Sequence, residues 1–305
     1  DDTNRISSFD KRDDAMNRCD ESNNKMNQLT PFGSTGCRVT PVGLGGEGVL
    51  RTHGRTAEAQ AVVLAAQNAG ITYFDSGHVY ADSELYLGSI YGQDPALRQN
   101  MFQASKSACR DYGGAMADLE STLNRLQTDY LDLWQIHDVR TKDDLDRISA
   151  PNGALKAFEE AQASGRVKHI GVTGHESPEI LSLAVNMWPV DSVMMPVNPA
   201  EAVIGGFMDQ TLSLAQQKGV AVIAMKVLGG GHYVAPDQGV TADQLIRFAL
   251  SCDIDVAIVG CKTPAEVQTL VTAGCAKTPL SKEERETLVQ KFVPNAQQLA
   301  YYRGV

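Results

Sequence analysis

No stretch of this 305-residue sequence approaches the roughly 20 consecutive apolar residues of a membrane span, and its first residues hold no apolar secretion signal. The six cysteines, Cys19, Cys37, Cys109, Cys252, Cys261 and Cys275, form no CxxC pair. That spacing excludes a zinc knuckle or a disulfide framework and reads as reduced core or loop thiols. A basic stripe is also lacking, since 27 Lys and Arg stand against 37 Asp and Glu, a formal net charge of -10. An acidic body disfavours nucleic acid and anionic membranes as partners. The expectation is a cytoplasmic protein, a monomer or weak homo-oligomer, that acts on a small molecule.

Residues 1–25 are rich in Asp, Asn and Ser and show no apolar period. They are expected to be a disordered leader or expression tag, with Met26 as the native start and residues 26–305 as one domain.

From Met26 onward apolar runs recur with a rhythm. Two short extended pieces flank the turn GSTG (33–36) as a small hairpin, leading into a first strand near Val39 to Leu44. An Ala-rich helix follows from Thr56 to Gly70. The pattern then repeats through ITYFDS, MFQASK, YLDLWQIH, HIGVTG, SVMMPVN, AVIAMKV and VAIVG, each followed by a helical segment. Eight β/α units at this length predict an α/β fold, a closed (β/α)8 TIM barrel with a short N-terminal β-hairpin. The segment SKEERETLVQKF (281–292) predicts an extra C-terminal helix.

Four polar residues interrupt this apolar scheme at or just beyond strand ends: Asp75, Tyr80, Lys106 and His137. Each has an ordinary structural reading, as a helix cap, a packing aromatic, a surface charge or a satisfied core histidine. Together at one barrel mouth they read as a proton donor with its tuning groups. Lys106 is expected to lower the pKa of Tyr80, Asp75 to keep Lys106 charged, and His137 to orient a substrate carbonyl. The glycine run GLGGEG (43–48) fits G-x-G-x-x-G, but no helix opens until Thr56. It is therefore read as a loop in which Gly45 and Gly46 let backbone approach a ligand, rather than as a Rossmann fingerprint.

The run Phe74-Asp75-Ser76-Gly77-His78-Val79-Tyr80, followed by Ser83-Glu84-Leu85-Tyr86-Leu87-Gly88, resembles the aldo-keto reductase signature. Ser105-Lys106 and Gln135-Ile136-His137 fall where that family places its Lys and His. The resemblance runs from about Gln28 to beyond the eighth unit. It implies NAD(P)H-dependent reduction of an aldehyde or ketone, or the reverse, with Tyr80 protonating the oxygen and with no metal. Two other readings keep the fold: a nucleotide-binding regulatory barrel, and a cofactor-independent isomerase.

The cofactor residues implied by the resemblance depart from the family pattern. Thr173-Gly174 stand where Ser-Asn hold the carboxamide, and Asn198 is the amide nearest to a missing Gln. Met225-Lys226, with Val227, Leu228, Gly229 and Gly231, replaces a stacking Tyr and its neighbours, and the glycines suit backbone contact with pyrophosphate. Gly260, Lys262, Thr263 and Glu266 stand where the adenosine phosphate binds. Lys262 favours a 2′-phosphate and Glu266 opposes it, which leaves NADP and NAD nearly even, and the resemblance to the family tips the expectation to NADP. His53 and Arg140 in the loops are candidate substrate contacts, Arg140 having Asp143 and Asp144 as alternative partners. His53, His78 and His232 match no metal-ligand spacing.

Overall fold

The computed structural model describes residues 19–20, 25–27, 29–276 and 278–304. The expected leader therefore lies outside the described residues, apart from Lys25 and Cys19–Asp20, the latter pairing antiparallel with Lys25–Met26. Eight parallel strands close into a barrel: β1 (Val42–Leu44), β2 (Tyr73–Asp75), β3 (Phe102–Ser107), β4 (Leu131–Ile136), β5 (Val167–Thr173), β6 (Ser192–Pro196), β7 (Ala221–Met225) and β8 (Val256–Val259). Each pairs with its sequence neighbours, and β8 closes onto β1 through Ile258 opposite Gly43. This bears out the (β/α)8 barrel expected from the rhythm.

The outer helices are α1 (Thr56–Asn68), α2 (Ser83–Tyr91), α3 (Tyr112–Leu126), α4 (Ala154–Ala163), α5 (Pro178–Met187), α6 (Leu212–Lys218), α7 (Ala242–Leu250) and α8 (Pro264–Gly274). The expected extra helix, α9 (Lys282–Gln290), opens with a capping box from Ser281 and Glu284. No described helix is long and apolar enough to cross a membrane.

Side-chain alternation sorts every strand. One face packs outward under the helices, as where Trp134 stacks on Phe158 with ring centroids 3.6 Å apart. The other face fills the barrel with a layer that includes Tyr73, Phe102, Leu133, Met194 and Ile258, with Phe32 of the hairpin packed against it. Closer to the C-terminal ends of β2 to β5, the same face carries Asp75, Lys106, Gln135 and Thr173 instead of apolar groups. The apolar layer is thus the floor of a polar chamber at the C-terminal ends of the strands.

The hairpin pairs Thr30–Pro31 with Arg38–Val39, and β1 begins only at Val42. Pro41, which has no N–H to give a ladder, separates the two, so the expected Val39 to Leu44 strand is split. Short helices at Pro95–Gln99, Lys142–Ser149 and Pro199–Ile204 interrupt loops, and the segment before α6 is a π-turn at Phe207–Thr211. Cys37, Cys109, Cys252 and Cys261 are free thiols. Cys275 is disulfide-bonded, contrary to the expectation of reduced thiols throughout, because sequence spacing does not say which cysteines meet in space.

Candidate active site

Lys106 is almost fully buried, and its ammonium donates to Asp75 Oδ2 and to the Ser76 carbonyl, both at 2.6 Å. Burial alone would lower the Lys106 pKa. Asp75 and then Tyr80 more than offset this and hold the group above its usual value. The charged ammonium lies 4.5 Å from the centroid of the Tyr80 ring. A buried cation so close to one carboxylate and one aromatic face is a fixed charge aimed at the phenol.

Local structure accounts for this convergence. Asp75 ends β2, and the chain then turns so that Tyr80 N–H reaches the Gly77 carbonyl at 2.8 Å and Ser83 N–H reaches the Tyr80 carbonyl at 2.9 Å. Gly46 passes so near that a Cβ there would lie 2.7 Å from Tyr80 Cδ2, so only glycine fits. On the outward face of β3, Ser105 donates to buried Glu84 at 2.6 Å, as does Thr122 at 2.9 Å, tying β3 to α2 and α3. The Glu84 side chain thereby fixes the strand that carries Lys106.

The Tyr80 pKa is raised. Burial is the largest cause and outweighs the opposing Lys106 charge, with Asp75 and Glu47 adding to the rise. This corrects the expectation of a lowered pKa: desolvation wins over one ammonium, and the phenol is protonated at neutral pH. His137 follows β4 and meets the Tyr80 ring edge-on at 5.6 Å between centroids. Burial, then the Lys106 charge, pushes its imidazole down to about 3, and its buried Nδ1 has no protein partner. The ring is therefore neutral, one nitrogen carrying a proton and the other a lone pair.

The shift at His137 makes stability depend on pH. Its folded pKa lies below the unfolded value of about 6.5, so the unfolded chain takes up a proton that the fold excludes. Stability is whole above that value and falls as pH drops from about 6.5 toward 3. Urea midpoints are expected to fall less steeply with acid in His137→Gln than in the parent protein. Parallel slopes in the two proteins would contradict a neutral buried imidazole.

The remaining candidates fall into two groups. Thr173, Met225 and Lys226 stand at the ends of β5 and β7, on the same rim as the quartet. Thr173 Oγ1 accepts from Asp138 N–H at 2.8 Å, and at Gly174 a Cβ would come 2.9 Å from the Val139 carbonyl. Val227 is buried, and Leu228 leads into a tight turn at Gly229–Gly231 whose glycines all have positive φ. Gly231 faces open space.

In contrast, Gly45 and Gly260 let the ends of β1 and β8 touch: a Cβ on Gly45 would lie 2.9 Å from Gly260 N. Asn198 is fully engaged, accepting from Glu201 N–H at 3.0 Å and donating to the Lys226 carbonyl and Tyr302 Oη. Thr263 caps α8, and Glu266 accepts from Lys262 N–H at 2.6 Å.

The two substrate candidates are tied up elsewhere. His53 is exposed and pairs with Asp82 at 2.9 Å. Arg140 pairs with Asp138 and Glu176 through its guanidinium, and only its backbone N–H reaches Asp144. Arg110 takes the Asp144 carboxylate instead. His78 contacts Asp118 and Ser121, and His232 packs on Tyr301.

Sequence reading missed three residues at this mouth. Glu47 and Arg51 follow β1, Arg51 lying 4.6 Å from the Tyr80 ring centroid. Their signal was present, since charges at the end of a barrel strand are as conspicuous as Asp75. Tyr302, whose hydroxyl donates to Glu201 at 2.9 Å and whose carbonyl meets His175 Nδ1 at 2.7 Å, brings the C-terminal segment onto the loops after β5 and β6. It lies in short turns without periodicity and gave no signal.

Comparison with known proteins identifies the class to which this barrel belongs. The profile of the aldo/keto reductase family matches residues 41–241, and the chain belongs to that family. It is accordingly an enzyme whose family reaction is NAD(P)H-dependent carbonyl reduction. It is similar to the 6-dehydroglucose reductase of Novosphingobium aromaticivorans, 29% identical over 224 residues, which are 67% of this chain and 70% of the relative. The L-galactose dehydrogenase of Arabidopsis thaliana is 28% identical over 222 residues, 67% of this chain and 66% of the relative. Among solved structures, an aldo-keto reductase from Klebsiella pneumoniae in complex with NADPH superposes with a TM-score of 0.71 at 23% identity, covering 88% of this chain and 96% of the other.

Proposed function

We propose that this protein reduces an aldehyde or ketone to the alcohol, or runs the reverse reaction, with Tyr80 as the proton donor. One observation carries the assignment: a buried, charged Lys106–Asp75 pair lies against the ring of a protonated Tyr80, with the neutral His137 ring at its edge. His137 donates a hydrogen bond to the carbonyl oxygen and sets it against the phenol. Tyr80 gives its proton to that oxygen as negative charge develops there, and Lys106 stabilises the phenolate left behind. Asp75 keeps Lys106 charged and in place.

The rim fits a nicotinamide dinucleotide. Bound there, the nicotinamide supplies the hydride that goes to the carbonyl carbon. Thr173 offers a hydroxyl to the carboxamide, Met225 an apolar face to the ring, and Gly231, which faces open space, an unobstructed backbone to the pyrophosphate. We assign NADP as the cofactor, with Lys262 toward the 2′-phosphate, and NAD as a close competitor because Glu266 stands beside it. Glu266→Gln is expected to raise the affinity for NADPH relative to NADH by roughly 5-fold, the effect of one solvated charge at a few ångströms. An unchanged ratio would place the 2′-phosphate elsewhere.

The quartet itself needs no residue from a second chain, which supports a monomer or weak homo-oligomer. The four free thiols agree with a cytoplasmic location, and the bonded Cys275 is the feature that favours an oxidising one. Titration with NADPH and NADH, followed by cofactor fluorescence and then by a panel of aldehydes, tests the reading. Binding with oxidation of the cofactor by a carbonyl is expected. Failure to bind either nucleotide sinks the proposal.

A further inference from the structure

Resting on this reading of the site, we infer that Glu47 and Arg51 are its specificity-determining residues, and that they select hydroxylated carbonyl substrates of the sugar type. The two side chains form an ion pair of 2.7 Å, and Lys226 approaches the same Glu47 oxygen at 4.0 Å. The group borders the ring of the proton donor. Arg51 lies on the Tyr80 ring, its charge reaches Tyr80 and His137, and the Glu47 charge reaches Tyr80 and Asp75.

The loop that presents the pair is held without it. Gly45 N–H and Val49 N–H bond to the Val259 and Cys261 carbonyls, and Val49 and Leu50 are buried. Tyr86 Oη donates to the Thr52 carbonyl at 2.9 Å, and Asp82 accepts from Gly54 N–H at 3.0 Å. An ion pair that is nearly half exposed adds little to a loop anchored in this way. Its position, beside the proton donor and open to solvent, suits recognition instead.

The chemistry narrows the ligand. An apolar aldehyde entering here strips water from a carboxylate and a guanidinium and returns no hydrogen bond. A carboxylated aldehyde gains from Arg51 but meets Glu47. A hydroxyl next to the carbonyl donates to Glu47 and accepts from Arg51 at once, and a second hydroxyl repeats the match.

The test compares kcat/KM for glyceraldehyde or erythrose, for propanal or butanal, and for glyoxylate, in the parent enzyme, Glu47→Ala and Arg51→Met. The parent is expected to favour the hydroxylated aldehydes, and each substitution to lower the ratio of hydroxylated to deoxygenated kcat/KM by at least ~10-fold, mainly through KM. Equal losses on both substrates would reduce the pair to a support for Tyr80 and overturn the inference. A parent preference for propanal or glyoxylate would overturn it as well. Those outcomes leave the reductase reading standing, whereas nucleotide binding with no turnover of any carbonyl defeats both.

Discussion

Tyr80→Phe is expected to lower kcat by at least ~10²-fold while leaving the Kd for cofactor within about 2-fold, the pattern of a lost general acid. The substitution keeps the ring that packs on Gly46 and under Arg51 and removes only the hydroxyl. Because burial holds the phenol protonated, reduction has its acid ready at neutral pH. Steady-state turnover combined with fluorescence titration of the cofactor checks both halves. Unchanged turnover would mean that the proton comes from another group or from water.

Lys106→Met is expected to have a second large effect, on stability as well as activity. Methionine has about the right length for the site, but it leaves Asp75 buried with no cation, and removing one member of a buried pair costs about 3–5 kcal/mol. Turnover falls with it, because nothing then stabilises the Tyr80 phenolate. Adding Asp75→Asn relieves the orphaned charge, so the double variant should recover most of the denaturant midpoint while its turnover stays low. If the double variant is no more stable than Lys106→Met, the loss lies in packing rather than in the unpaired carboxylate.

Much of this was legible in the sequence because the barrel repeats one simple physical rule. Strands buried on both faces must be apolar, so Asp75, Lys106 and His137 at strand ends stood out against their neighbours, and eight strand and helix periods fixed the closure. What was not legible depends on distance across the fold. The fate of Arg140 turned on Asp138 and Glu176 rather than on the nearby Asp143, and sequence gives no ranking among such carboxylates.

Asn198 looked free for a ligand because its amide donates to Lys226 and Tyr302, which come from other segments, while its oxygen caps the short helix at Glu201. The Tyr80 pKa went opposite to expectation for a related reason. The Lys106 charge was visible in the sequence, but the depth at which the ring is buried was not, and depth decided the sign. The Glu47 and Arg51 pair was passed over because the glycine run around it drew the reading toward backbone.

The central claim is hydride delivery to a carbonyl held at Tyr80 and His137, and isotope transfer tests it most directly. With reduced cofactor deuterated at the transferring position of the nicotinamide and glyceraldehyde as substrate, the product alcohol is expected to carry one deuterium at the former carbonyl carbon. Product with no deuterium at that carbon would contradict the account.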